Sequence, residues 1–181
     1  MIDLVQSTKL INLNYSKLYH VKILRPKNQK ELRKQKNQEI NIIEPVNNSI
    51  ARTALETKKT DILLSPEKHA KKDFMHQRDS GLNHILCKLA KKNKIAVGIN
   101  FSELLNEKHL EKRLGRIMQN IKLCRKFKIP LVLASFANNR YEQRNPKDLE
   151  LFAQVIGMTP TQAKISLNFK KQEKTDIKVI K

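Results

Sequence analysis

Five histidines, two cysteines and a sparse set of carboxylates are the side chains here that could hold a metal or move a proton. His84 and Cys87 stand three apart, a spacing that puts both on one helix face, and His69 and His76 lie just upstream. Zinc sites usually pair their ligands more tightly. Cys87 and Cys124 fall inside apolar helical patterns, where a free thiol packs as a small hydrophobe. The sequence has no His-x-His, no His-Glu-x-x-His, no Gly-x-Gly-x-x-Gly, no Walker loop and no serine nucleophile elbow. Asp61, Glu67, Asp73 and Asp79 are the carboxylates that could do acid–base work, and Asp79 with Ser80 reads more simply as a helix cap. No catalytic constellation emerges.

The cations carry more information. Lys plus Arg is 37 against 17 for Asp plus Glu, a formal net charge of +20. Residues 22–36 hold Lys22, Arg25, Lys27, Lys30, Arg33, Lys34 and Lys36 against Glu31. Residues 108–128 hold Lys108, Lys112, Arg113, Arg116, Lys122, Arg125, Lys126 and Lys128 against Glu111. Such an excess reads as a solvated lysine-rich surface or as a surface for a polyanion, whose condensed counterions are released on binding. A membrane surface fits less well, because no single basic amphipathic helix dominates. No apolar run is long enough for a membrane span. With aromatics at only 5%, base stacking cannot be the main mode, and phosphate contact on a folded RNA remains. Two cysteines and no N-terminal signal core argue for a reducing, cytoplasmic setting.

The elements that must position these groups alternate. Strands are predicted over 19–24, 40–43, 61–65, 95–99 and 131–135, mostly as unbroken apolar runs of the kind buried on both faces of a parallel sheet. Ile2–Val5 or Leu10–Leu13 offers one more. Helices are predicted at 29–36, from Asn47 or Asn48 onward, from Asp79–Ser80 to about Asn93, from Glu103 or Glu107 to Pro130, from Asn145–Pro146 to Gly157, and from Thr159–Pro160 to about Leu167. One apolar stripe is expected on Leu82, Ile85, Leu86, Leu89 and Ala90. The long helix is expected to bury Leu110, Leu114, Ile117, Met118, Ile121 and Cys124. Six or seven βα units imply an α/β fold, a TIM-type barrel that seven strands would close imperfectly. A doubly wound open sheet is the alternative. The chain 1–181 reads as one domain, with 170–181 either a flexible end or a last strand over Asp176–Ile180.

In βα barrels, binding groups sit where strands end and helices begin. That rule singles out Arg25 after one strand, Lys68, Lys71, Lys72 and Arg78 after another, and Arg140 and Arg144 after a third. Each could also be a solvated side chain.

Several blocks in order carry a resemblance. They are Asp61-Ile62-Leu63-Leu64-Ser65-Pro66-Glu67, then Asp79-Ser80-Gly81-Leu82-Asn83-His84, then Leu86-Cys87-Lys88-Leu89-Ala90. Arg113, Arg116, Asn120 and Arg125-Lys126-Phe127 follow, then Leu131–Ser135, then Tyr141, Arg144, Pro146 and Gly157-Met158. Over about residues 19–165 the chain resembles the protein component 3 family of archaeal ribonuclease P, related to the 30-kDa subunits of eukaryotic ribonucleases P and MRP. It departs where the family often has Asn-Arg-Ala-Ala, here Ala51-Arg52-Thr53-Ala54, and where the family often has Gly after Ser135, here Phe136.

The resemblance implies a barrel that does no chemistry itself. It is similar in fold to metal-dependent phosphoesterases but lacks their ligands. It implies a subunit of the ribonucleoprotein endonuclease that removes the 5′ leader from precursor tRNA. The partners would be ribonuclease P RNA, protein component 2 in a two-plus-two heterotetramer, and other ribonuclease P proteins. It implies no cofactor or metal in the protein, with magnesium in the RNA active site. The residues expected to bind RNA are Arg25, Arg52, Lys68, Lys71, Lys72, Arg78, His84, Arg113, Arg116, Arg140 and Arg144. The alternatives are an autonomous metal phosphoesterase of the same fold and a basic ribosome-associated protein.

Overall fold

The computed structural model describes residues 1–7, 10–34, 38–57, 59–69, 73, 75 and 78–171. Strands β1 (Ile2–Val5), β2 (Lys17–His20), β3 (Ile23–Leu24), β4 (Ile42–Ile43), β5 (Ile62–Leu64), β6 (Ala96–Asn100) and β7 (Leu131–Ala134) are paired in parallel throughout. The helices are α1 (Gln29–Lys34), α2 (Asn48–Glu56), α3 (His84–Lys92), α4 (Phe101–Leu105), α5 (Leu110–Phe127), α6 (Pro146–Val155) and α7 (Pro160–Ser166).

One sheet runs β3-β4-β5-β6-β7 and a second pairs β1 with β2. The expected strand over 19–24 is therefore split. Its first half pairs with β1 and its second half with β4, and Val21 N–H still donates to Val5 O at 2.8 Å. β1 reaches the far edge without a ladder. Phe136 N–H donates to Leu4 O at 2.8 Å and Gln6 N–H to Ala137 O at 3.0 Å. The buried Asp3 carboxylate accepts Ser135 N–H at 2.7 Å and Ser135 Oγ–H at 2.6 Å. Burial lifts the Asp3 pKa against these bonds. The expected barrel is thus a curled parallel sheet whose seam is held by Asp3 and a few main-chain bonds rather than by paired strands.

Alternate residues separate two cores, as the two-residue period of a strand requires. Ile42, Ile62, Leu64, Ala96, Val132 and Ala134 face inward with Leu4 and Phe136. Ile43, Leu63, Val97, Ile99, Leu131 and Leu133 face the helices. The inner space is full: a Cβ on Gly98 would lie 2.7 Å from Ile62 Cγ2 and 2.8 Å from Leu64 Cδ1.

The helix ends follow local chemistry. Asn47, Asn83, Asn100, Asn145 and Thr159 cap α2, α3, α4, α6 and α7 with their side chains. α3 starts four residues beyond Asp79–Ser80, because Gly81 at φ +72° turns the chain and Asn83 supplies the cap. Ile85 of the expected stripe is consequently exposed. The long helix is two helices, α4 and α5. On α5, Leu110 and Met118 are exposed, while Arg113, Arg116 and Asn120 share the buried face with Ile117, Ile121 and Cys124.

α3, α5 and α6 end alike. Ile95 N–H reaches back to Ala90 O, Ile129 to Cys124 O and Met158 to Ala153 O. These are Schellman turns closed by a buried apolar residue. Each needs one left-handed residue, supplied by Lys94 (φ 52°), Lys128 (φ 55°) and Gly157 (φ 99°). A side chain there costs about 1 kcal/mol. Lys128→Gly is expected to stabilise the fold by roughly that amount, read as a higher urea midpoint at unchanged slope. A lower midpoint would show that the lysine itself contributes.

Beyond α7 the chain crosses the end of the sheet where the strands begin. Ile2 N–H donates to Leu167 O at 2.7 Å, Phe169 packs on the inner core, and Lys171 Nζ lies 2.6 Å from Glu39 O and 3.3 Å from Asp61 Oδ2. The expected strand over Asp176–Ile180 lies outside the described residues.

Candidate nucleic-acid interface

In a parallel β/α arrangement the strand C-termini and helix N-termini share one end, and the expected rim of cations belongs there. A glutamate follows each central strand: Glu44 after β4, Glu67 after β5, Glu103 in α4 after β6. The cations meet them. Arg25 Nε donates to Glu44 Oε2 at 2.6 Å, and Lys68 Nζ to Glu103 Oε1 at 2.8 Å and also to Glu44. Arg113 reaches in from α5, donating to Glu103 Oε2 at 2.7 Å and Glu107 Oε2 at 3.0 Å, with Glu67 Oε1 at 3.5 Å. Arg25, Lys68 and Arg113 thus face four carboxylates, so these three cations are answered within the mouth of the sheet itself. Among the described residues, no group of three or more His, Cys, Asp or Glu side chains is arranged to hold a metal ion.

Burial sets the protonation of this network. Glu67 is buried and only weakly served by Arg113, whose shorter bonds go elsewhere, so desolvation pushes its carboxyl up to about 7. For Glu103, burial is outweighed by the hydrogen bonds from Lys68 and Arg113, and its pKa falls. Burial opposes charge on Lys68 and Arg113 too, yet their glutamate partners raise both. The signs give opposite pH windows. Glu67 favours the fold fully below its unfolded pKa of 4.5 and loses that contribution as pH rises through about 7. Glu103 and Glu107, with lowered pKa values, favour the fold above the unfolded value and lose it as pH falls through their folded values. Glu67→Gln is expected to remove about 1–3 kcal/mol of the stability decline between pH 5 and 8, measured by urea unfolding. The same decline in the variant would place the titration elsewhere.

The remaining expected RNA contacts scatter. Arg113 is 6% exposed and Arg116 9%, with Arg116 Nε donating to Asp73 Oδ1 at 2.9 Å. Both were expected on an RNA surface; instead they point inward, because the face of α5 that packs on the molecule carries them. Arg52 is exposed and pairs with Glu56 one turn on. Arg78 lies across Gly115, where a Cβ would come within 2.7 Å of its guanidinium carbon. Arg144 donates to Tyr141 O and Gln143 O at 2.7 Å and sits over the Phe101 ring. His84 and Arg140 are exposed. Lys71 and Lys72 lie outside the described residues.

Several motif residues turn out to be one another's partners. Asn120 Nδ2 donates to Ser80 O at 2.9 Å, Gly81 packs on the Pro66 carbonyl, and Arg116 holds Asp73. The Asp79–His84 block and the α5 block therefore lock to each other. Phe136 takes φ 48° with its ring wholly buried in the inner core, which accounts for glycine being the easier residue at that turn. Sequence reasoning missed Glu44, Glu103 and Glu107, although an acid soon after each strand end was there to find.

Residues 14–171 match the family model described as RNase P subunit p30. The chain belongs to this family. Ribonuclease P protein component 3 of Methanococcus maripaludis is 34% identical over 147 residues, 77% of this chain and 60% of its own length. That of Methanocaldococcus jannaschii is 35% identical over 109 residues, 59% of this chain and 44% of its own. The chain thus spans about half the length of these p30 relatives. A chain in the cryo-EM structure of archaeal ribonuclease P with mature tRNA superposes with TM-score 0.73 at 31% identity, covering 86% of this chain and 67% of that one. The p30 family accordingly accounts for the curled parallel sheet and its order of elements.

Proposed function

We propose that this chain is a protein subunit of ribonuclease P, acting in precursor-tRNA 5′ maturation by binding the catalytic RNA while doing no chemistry of its own. The observation that carries this reading is the p30 family match over residues 14–171. The neutralised mouth supports the non-catalytic part, since its four glutamates are each held by a lysine or arginine. A net charge of +20 supports the RNA-binding part. Folding the RNA brings phosphates close together, and a rigid cationic protein lowers the repulsion that magnesium must otherwise screen. The setting proposed is the cytoplasm, in a complex with component 2 as a two-plus-two assembly and with other ribonuclease P proteins. No helix among the described residues is long and apolar enough to cross a membrane.

Precursor-tRNA cleavage by reconstituted ribonuclease P RNA, titrated with magnesium, tests the proposal. Adding this protein with component 2 is expected to lower the magnesium needed for half-maximal cleavage severalfold. An unchanged requirement would reject the proposal. The protein alone, incubated with manganese and a generic phosphodiester, is expected to show no turnover.

A further inference from the structure

At the strand C-termini, Arg25, Lys68, Arg113 and Arg116 are matched by carboxylates, while Lys27, Lys30, Lys108 and Arg140 are exposed. At the opposite end, turns leading into β5, β6 and β7 carry Lys59, Lys94 and Lys128, the last turn of α3 carries Lys91 and Lys92, and the crossing segment carries Lys170 and Lys171. All seven are exposed. The acids at this end are Asp61, buried, held by Lys171 and lining the cleft found here, the exposed Glu39, and Glu56 in the last turn of α2, paired with Arg52.

This end also has shape. Lys94 and Lys170 line one cleft of about 240 Å³ whose walls include Pro130, Leu131, Phe169 and Ile165. Ile165 is 60% exposed there. Lysines beside an apolar floor suit an unpaired nucleotide, with its phosphates on the ammonium groups and its base on the hydrocarbon. Backbone geometry adds a second sign. Lys94 and Lys128 occupy left-handed positions where the equivalent turn after α6 uses Gly157. The chain carries lysine at two sites where glycine is easier to fold.

We propose that the end of the sheet where the strands begin is the RNA face, its lysines taking backbone phosphates and its cleft one unpaired base. The proposal rests on the reading that the chain binds ribonuclease P RNA and adds which surface does so. Lys59, Lys91 and Lys170 are the test positions, because none has the left-handed backbone of Lys94 and Lys128. The probe is transcribed ribonuclease P RNA, its affinity followed against salt with the full chain. The triple variant K59Q/K91Q/K170Q is expected to reduce the slope of log affinity on log salt by about 2. The control K27Q/K30Q/K108Q, at the opposite end, is expected to reduce it by less than half as much. Ile165→Ser is expected to weaken binding about fivefold at an unchanged slope.

A wild-type slope in K59Q/K91Q/K170Q with a flattened one in the control would overturn the assignment, and wild-type affinity in Ile165→Ser would overturn the cleft. Unchanged RNA binding together with loss of a protein from the reconstituted assembly would hand this face to an acidic protein and likewise overturn it. If the wild-type chain bound no RNA at any salt, the proposed function itself would fail, and that outcome is distinct from the others.

Discussion

Arg113→Ala is expected to lower folding stability by about 3–5 kcal/mol at pH 7.5, because it strips a buried cation from the glutamates packed round it. The guanidinium is 6% exposed and serves Glu67, Glu103 and Glu107 from one position on α5. Surface ion pairs contribute little, so the size of the loss reports burial rather than pairing. Arg113→Met separates charge from volume: it should recover some packing and leave most of the deficit. Adding Glu67→Gln to Arg113→Met should restore part of the rest, since one stranded carboxylate becomes neutral. Chemical denaturation of the wild type, Arg113→Met, Glu67→Gln and the double variant as a double-mutant cycle measures this coupling. A loss under about 1 kcal/mol for Arg113→Ala would mean that water already replaces the guanidinium.

Gly81→Ala is the second large effect. The residue has φ +72°, and a Cβ would stand 1.9 Å from the Pro66 carbonyl oxygen and 2.5 Å from its carbon. Both strain and collision fall on backbone, which no rotamer change relieves. A cost of about 3 kcal/mol or more follows from adding a left-handed penalty to overpacking. Gly157→Ala is the internal control. It shares a positive φ, yet nothing lies within 4 Å of its Cβ, so only the conformational part, about 1 kcal/mol, applies. Equal losses in the two variants, by thermal and urea unfolding, would remove the collision from the account. The Gly81 loss should also disturb Glu67, which sits in the turn that begins at Pro66.

The comparison of these two glycines shows which features a sequence discloses. Gly157 was legible, as were Asn47, Asn145–Pro146 and Thr159–Pro160, because capping is chemistry between near neighbours. The apolar strands were legible for a similar reason, since burial on both faces leaves an unbroken run. The inward face of α5 was not. Arg113 is tolerated inside because Glu103 and Glu107 meet it from the preceding helix and loop, and Arg116 because Asp73 meets it from 43 residues away, pairings that periodicity cannot register. The start of α3 falls later than expected because Gly81, packed on Pro66, turns the chain and passes the cap from Asp79–Ser80 to Asn83. The charge count pointed toward a polyanion, but its distribution over two ends of the sheet depends on which cations have acids within reach. At the strand ends, Arg25, Lys68 and Arg113 looked like free cations in sequence and are paired with glutamates in space.

The seam between β1 and β7 has a consequence for the order of assembly. Asp3 is held by Ser135, and Ile2 by Leu167, so β1 is synthesised well before the residues that hold it in place. Until then β1 has β2 on one side and an open edge on the other, and the Asp3 carboxylate stays in water. Contacts of such long sequence separation slow folding. The same geometry sets Ile2 beside the exit of α7, so a rearranged chain that made these spatial neighbours close in sequence would remove the wait.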